Sequence, residues 1–211
     1  MRCTIDHLVV TAPTLESGAD FVWRALGVLP GPGGAHPRMG THNLLLRLGE
    51  SMFLEVIAPD PAALRPDRPR WFGLDDPEML RAPRLAAWIA RTDGLRDCPA
   101  ELLAVVGPIE TMTRGAREWL ITIPADGALP LGGAMPMLIE WQSPRTPAGA
   151  GLADAGCALA SLMLSHPAPN RCDTMLALAG LVDRVEIRAG APGLQADIVT
   201  PHGLRTLGGA A

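Results

Sequence analysis

Neither lysine nor tyrosine occurs anywhere in the 211 residues. Without lysine there is no Schiff-base chemistry and no phosphate-loop lysine, and without tyrosine no phenolic general acid. All eighteen basic side chains are therefore arginine, a residue that grips carboxylates through two parallel hydrogen bonds. Cysteine is scarce and scattered (Cys3, Cys98, Cys157, Cys172), with no C-x-x-C pair. That excludes a zinc ribbon and a redox dithiol, and no secretory pattern accompanies them to suggest a disulfide framework. Positive charge is in deficit, the formal net being −4, so an electrostatic footprint for nucleic acid is missing. No apolar run approaches the ~18 residues needed to cross a bilayer, which argues against a membrane partner. The N-terminal apolar stretch is interrupted by Asp6 and His7 and lacks a cleavage pattern, so the cytoplasm is the expected compartment.

What is present is an ordinary globular balance, 48% hydrophobic and 19% charged. The informative feature is repetition. Ile5-Asp6-His7-Leu8-Val9-Val10 reads as an apolar strand bearing one histidine, and Leu85 to Ala90 repeats it without a gap. Leu15 then falls on Leu95 and Gly27 on Gly107, while a weaker third copy begins at Ala158 and reaches Gly180. His7 is thus replaced by Ala87 in the second copy and by Ala160 in the third.

Within the first copy, Thr14 is an N-cap candidate, and Leu15, Ala19, Val22 and Leu26 form a helical stripe closing at Gly27. The segment from Leu29 to Pro37 is so rich in glycine and proline that it predicts irregular structure. Its prolines remove backbone donors, so it does not predict a phosphate cradle, and no nucleotide cofactor is expected. His42 to Leu48 and Met52 to Ile57 predict a hairpin in which Phe53, Glu55 and Ile57 share one face. Residues 59–83 read as a proline-rich connection with a short helix near Glu78 to Arg81. A second copy occupies 84–144, and a third, shortened by at least one strand, occupies 157–204. Counting back four residues from Pro59, Pro144 and Pro201 finds Glu55, Glu140 and Asp197. An acid recurs on each closing strand.

Tandem β-α-β-β-β units with an Asp-His opening and an acid on the closing strand resemble the vicinal oxygen chelate superfamily, the fold of glyoxalase and extradiol dioxygenases. Ile5 to Val10, Gly34 to Asn43 and Phe53-Leu54-Glu55 are most similar to its glyoxalase-like branch. The resemblance covers residues 3–145, and it implies an α+β fold of curved antiparallel sheets. Residues 1–60 and 84–144 would form one half-open barrel, and 157–204 a truncated third module.

Carried over by position, the resemblance assigns His7, Glu55 and Glu140 as ligands of a divalent metal such as Zn, Fe or Mn. Glu55 and Glu140 would also be the catalytic carboxylates, and Ala87 leaves the fourth corner without a donor. His36, His42 and Asn43, in or beside the breaker-rich loop, are candidate substrate contacts. The implied activity is a metal-assisted lyase, isomerase or dioxygenase acting on a small molecule with adjacent oxygens, in a chain that could form a homodimer. A rival reading, favoured by Ala87, is a metal-free protein that sequesters a hydrophobic compound. A third is a catalytically silent module whose last repeat serves assembly. Each residue also has a structural reading: His7 as a hydrogen-bonded strand histidine, Glu55 paired to Arg47 across the hairpin, Glu140 facing solvent.

Overall fold

The computed structural model describes residues 1–209. The first unit runs β1 (Thr4–Thr11), α1 (Leu15–Leu26), β2 (Gly31–His36), β3 (Thr41–Arg47) and β4 (Phe53–Pro59). Thr14 caps α1 by accepting a hydrogen bond from the Ser17 amide at 3.2 Å. Gly27 ends the helix at φ 72°, a left-handed value that strains any residue with a Cβ. The strands order as β2-β3-β4-β1, with β1 and β4 parallel and the other neighbours antiparallel. The second unit repeats this plan with β5 (Arg84–Arg91), α2 (Ala100–Val106), β6 (Ile109–Arg114), β7 (Arg117–Thr122) and β8 (Met137–Ser143). Antiparallel pairing of β1 with β5 joins both into one curled eight-stranded sheet.

The breaker-rich segment departs from expectation. Gly31–His36 is a strand despite Pro32, because it lies at the edge of the sheet, where a missing N–H leaves no ladder partner unsatisfied. A register shift between Pro32 and Ala35 absorbs the irregularity. Residues 77–82, expected to contain a short helix, form turns.

The seam between β1 and β5 records the duplication. Ile5 lies opposite Ala90 and Val10 opposite Leu85, while His7 faces Ile89 and Val9 faces Ala87. Shifting by eighty residues (85 − 5) exchanges the members of each set. The bulges fall at Asp6 and at Ala86, which obey the same offset. Ala86-Ala87 is thus the structural counterpart of Asp6-His7.

The closing strands do not follow the proline-based match. Val9 lies beside Glu55, whereas Ile89, the counterpart of Val9, lies beside Met137. Met137 therefore stands where Glu55 stands, and Glu140 is three residues further on. An odd displacement along a strand moves a side chain to the opposite face.

The C-terminal unit contains β9 (Ala158–His166), α3 (Pro169–Leu178), β10 (Glu186–Ala189), β11 (Gly193–Thr200) and β12 (Gly203–Gly208). It has four strands and a helix, as the first two units do, but orders them β10-β9-β11-β12 in a separate sheet. The strand after the helix lies parallel beside the first strand instead of at the far edge, so this unit is wired differently and is not a shortened copy. Asp197 accepts hydrogen bonds from Ser161 and Thr206 within this sheet and takes no part in a shared site. Leu162, Leu164, Ile198 and Leu207 are buried in the same cluster as Leu8, Leu54, Trp88 and Leu138. Each such side chain contributes about 1.5–3 kcal/mol on burial, which anchors the C-terminal sheet to the back of the large one. A second cluster on the concave side, built on Val9, Ile57, Ala87, Ile89, Met137 and Ile139, underlies the pocket described next.

Candidate functional site

Alternation along the strands decides what reaches the concave face. From β1 comes His7; from β3, Asn43 and Leu45; from β4, Phe53 and Glu55; from β8, Ile139 and Trp141. These residues line a pocket of about 440 Å³ of empty space, its open mouth included. His36, Arg114 and Trp119 complete its sides, and Trp71 and Phe72 arrive from the connection between the units. Five of the chain's eight aromatic residues (five Trp, three Phe) thus line one pocket, although aromatics make up only 4% of the sequence.

At its floor lies a chain of buried polar groups. The His7 Nδ1 is 2.6 Å from an Asp6 carboxylate oxygen, and Trp141 Nε1 donates to the other Asp6 oxygen at 3.0 Å. Asp6 is fully buried, and the bulge at its position interrupts the strict alternation of β1. His7 Nε2 lies 3.6 Å from Glu55 Oε2, and the imidazole stacks on Phe53 with centroids 4.3 Å apart. Asn43 Nδ2 donates to Glu55 Oε1 at 2.5 Å, and Asn43 Oδ1 accepts from the Gly34 amide at 2.8 Å. The asparagine is thereby fixed in one orientation. A Cβ on Gly33 would sit 2.1 Å from Asn43 Oδ1 and 2.7 Å from its backbone oxygen, so only glycine fits there.

The charges follow from this packing. Burial by itself would lower the His7 pKa, but the adjoining Asp6 and Glu55 carboxylates outweigh it and hold the imidazole up at about 9. Burial would likewise raise Glu55, yet His7 beside it and Asn43 keep its carboxyl down at about 2. The floor is an ion pair, imidazolium beside carboxylate. His36 behaves oppositely: burial lowers it to about 4, with Arg114 adding to the effect against the pull of Glu55, so it is neutral. Its Nε2 lies 3.2 Å from Arg114 Nη1, and its Nδ1 lies 3.4 Å from Thr41 Oγ1, which also accepts from Trp71 Nε1 at 3.2 Å. Because a guanidinium only donates, we assign the neutral tautomer with its proton on Nδ1.

Of the residues singled out in the sequence, His7, Glu55, His36 and Asn43 meet in this pocket, and Glu140 and His42 do not. Glu140, on the other face of β8, accepts from the Leu95 amide at 2.8 Å and from Gln142 at 2.6 Å. It closes a turn and cannot serve as ligand or acid at this site. His42 alternates with Thr41 and Asn43, so it points away, 4.0 Å from Asp60. The cross-hairpin pairing of Glu55 with Arg47 is absent, since Arg47 donates to the Gly49 and Leu152 carbonyls. Sequence reasoning missed Arg114, Trp119 and Trp141, and it missed Trp71 and Phe72 because they belong to a proline-rich connection. The signal for the last two was present: a bulky aromatic pair in a loop needs an apolar place to go.

The donor set does not fit the divalent metal that the fold implies. The four corners are His7, Glu55, Ala87 and Met137; two offer no hard donor, and Ala87 and Met137 are buried in an apolar cluster. Among the described residues no group of three His, Cys, Asp or Glu side chains converges as a metal would require.

The chain is similar over 91% of its length to 88% of a hypothetical protein from Staphylococcus aureus, with 12% identity and a TM-score of 0.65. Methylmalonyl-CoA epimerase from Mycobacterium tuberculosis matches at 17% identity, covering 68% of this chain and 87% of that one, with a TM-score of 0.41. The Streptomyces coelicolor epimerase in complex with 2-nitronate-propionyl-CoA matches at 12% identity over 64% and 94%, also at 0.41. No functionally curated protein matches the sequence. Residues 5–180 match the family described as a glyoxalase-like domain, more than four-fifths of the chain. The chain belongs to the glyoxalase-like domain family.

Proposed function

We propose that this protein is a small-molecule enzyme of the lyase or isomerase type that moves a proton on a substrate with adjacent oxygens, without a metal. The observation that supports this is the Asp6–His7–Glu55 chain at the floor of an aromatic pocket. Asp6 orients the imidazolium, as the third member of a nucleophile–base–orienter arrangement does. A substrate C–H beside a carbonyl would lose its proton to a Glu55 oxygen. The electron pair would move to the carbonyl oxygen, which would take the Nε2 proton of His7, giving an enol, a neutral imidazole and a protonated Glu55. Solvent exchange at the carboxyl and reversal would return a different proton to carbon. Asn43 holds the carboxylate in place throughout, and the aromatic walls reduce the water around the buried charged pair, which strengthens its field.

The test is deuterium incorporation from D2O, followed by NMR, into phenylpyruvate and 1-phenyl-1,2-propanedione. Both pair adjacent oxygens with an exchangeable C–H. Exchange above the buffer rate, lowered about 10²-fold or more in Glu55→Gln, is the expected result. Equal rates in wild type and variant would count against proton transfer. The ligand-sequestering reading is supported by the aromatic lining, and it predicts quenching of tryptophan fluorescence by these compounds with no exchange.

A further inference from the structure

Arg114 is the one charged side chain lining the pocket that no described carboxylate approaches within 4 Å. It reaches from the second unit across to the first, and both of its hydrogen-bond partners there are neutral acceptors. Nη1 meets His36 Nε2 at 3.2 Å and Asn43 Oδ1 at 3.4 Å. Nε and Nη2 donate to no described residue. These idle donors are not sealed from solvent, so they remain free to take an anionic group, for which charge-assisted hydrogen bonds are the strong ones.

We propose that Arg114, held by His36 and Asn43, is the specificity-determining group for a carboxylate, and that the pocket takes an aryl-bearing 2-oxo acid. This rests on the reading of the pocket as a small-molecule site and names its ligand class.

Three observations converge on that class. First, the His7 charge is matched by Asp6 at 2.6 Å and Glu55 at 3.6 Å, so Arg114 is the pocket cation left for an anionic group to pair with. Second, the guanidinium is aimed before any ligand arrives. His36 supports it as a neutral acceptor, and Thr41 and Trp71 hold that ring from behind, with Trp71 edge-on to it at 5.1 Å between centroids. A preorganised fork loses little freedom on meeting a planar carboxylate, which it can grip with two parallel bonds. Third, the lining includes a flat apolar wall: the Trp119 and Trp141 ring centroids lie 5.7 Å apart, and Phe53 stacks on His7. An aryl group suits that wall, since offset and edge-on aromatic contacts form at such distances. Asn43 touches both ends of the site, with Oδ1 near Arg114 and Nδ2 on Glu55, so a carboxylate on Arg114 directs the adjacent oxo group toward the floor. The nearby Glu55 charge opposes an anion, but His7 lies 3.6 Å from it and offsets that repulsion locally.

The test uses phenylglyoxylate, a 2-oxo acid with no enolisable C–H, against its neutral amide, so binding is read independently of proton transfer. Affinity is followed through tryptophan quenching, with Trp71, Trp119 and Trp141 as reporters. The acid should bind about tenfold or more tighter than the amide at low salt, as a charge-assisted pair does. That preference should shrink as salt rises and vanish in Arg114→Met. The wild-type comparison stands even should the variant fold poorly. Equal affinities for acid and amide, a preference surviving in Arg114→Met, or no binding of the acid at millimolar concentration would each overturn the proposal. Phenylglyoxylate binding with the stated preference but no deuterium exchange on enolisable substrates would leave this inference intact and refute the proposed activity alone.

Discussion

Replacing Glu55 by glutamine removes one negative charge from the pocket floor and almost no volume. Glutamine can still accept from Asn43 Nδ2, which Glu55 meets at 2.5 Å, so the local fold should survive. What changes is His7, whose pKa near 9 depends on two carboxylates, Asp6 and Glu55. The sign follows from linkage. A histidine whose folded pKa lies above its unfolded value of about 6.5 stabilises the fold fully below pH 6.5, and that stabilisation disappears as pH rises toward 9. The difference of 2.5 units corresponds to about 3 kcal/mol for the coupled network, and Glu55's own depression expresses the same coupling and is not added. With one of two carboxylates gone, a loss of roughly 1–2 kcal/mol near pH 7 is expected, and the alkaline fall should begin at lower pH. For a chain of this size that lowers Tm by roughly 2–8 °C. Urea unfolding from pH 6 to 9.5, with the His7 ring proton followed by NMR, measures both quantities. Glu140→Gln is the control: it removes an acceptor for the Leu95 amide outside the pocket and should leave the shape of the alkaline limb unchanged. A wild-type curve flat between pH 6.5 and 9, or an equal change in both variants, would refute the reasoning.

Further consequences are as direct. Because burial holds neutral His36 near 4, the folded state binds fewer protons than the unfolded one between pH 4 and 6.5, so stability should fall on acidification through that range; His36→Asn should flatten this limb. Gly33→Ala, by driving a Cβ into Asn43, should cost roughly 1–3 kcal/mol and slow deuterium exchange through the displaced Glu55, whereas Gly115→Ala, with open space around its Cβ but φ 57°, should cost about 1 kcal/mol and leave exchange alone. The paired substitution Ala87→His with Met137→Glu fills both donor-free corners and should create zinc binding detectable by calorimetry; Ala87→His with Glu140→Asp should not, since residue 140 lies on the far face.

The duplication and the fold were legible because β-strands keep register: a gapless match of Ile5–Val10 to Leu85–Ala90 reappears as the symmetric β1–β5 seam. His7 and Glu55 could be found from the repeated opening strand and from strand alternation, whereas His36 and Asn43 were marked only by lying in or beside the breaker-rich loop, a signal that also marked His42, which points away. Glu140 misled because a proline marks where a strand ends, not which residue faces the pocket. A slip of three reverses the face, and only the β5–β8 pairing reveals it. The C-terminal unit shares the element sequence of the others, yet strand order is a tertiary property that local pattern does not encode. Arg114 was hidden for a related reason. Its meaning lies in a neutral histidine 78 positions away and in the carboxylate that does not face it.

The measurement that bears most directly on the central claim is deuterium exchange of phenylpyruvate with and without chelator. The enzyme should be purified in EDTA and assayed beside Glu55→Gln. Chelator should leave wild-type exchange unchanged, added Zn(II), Mn(II) or Fe(II) should not raise it, and the variant should lose it. Exchange abolished by EDTA and restored by one of these metals would contradict metal-free proton transfer, and would place a metal where His7 and Glu55 alone were argued to act.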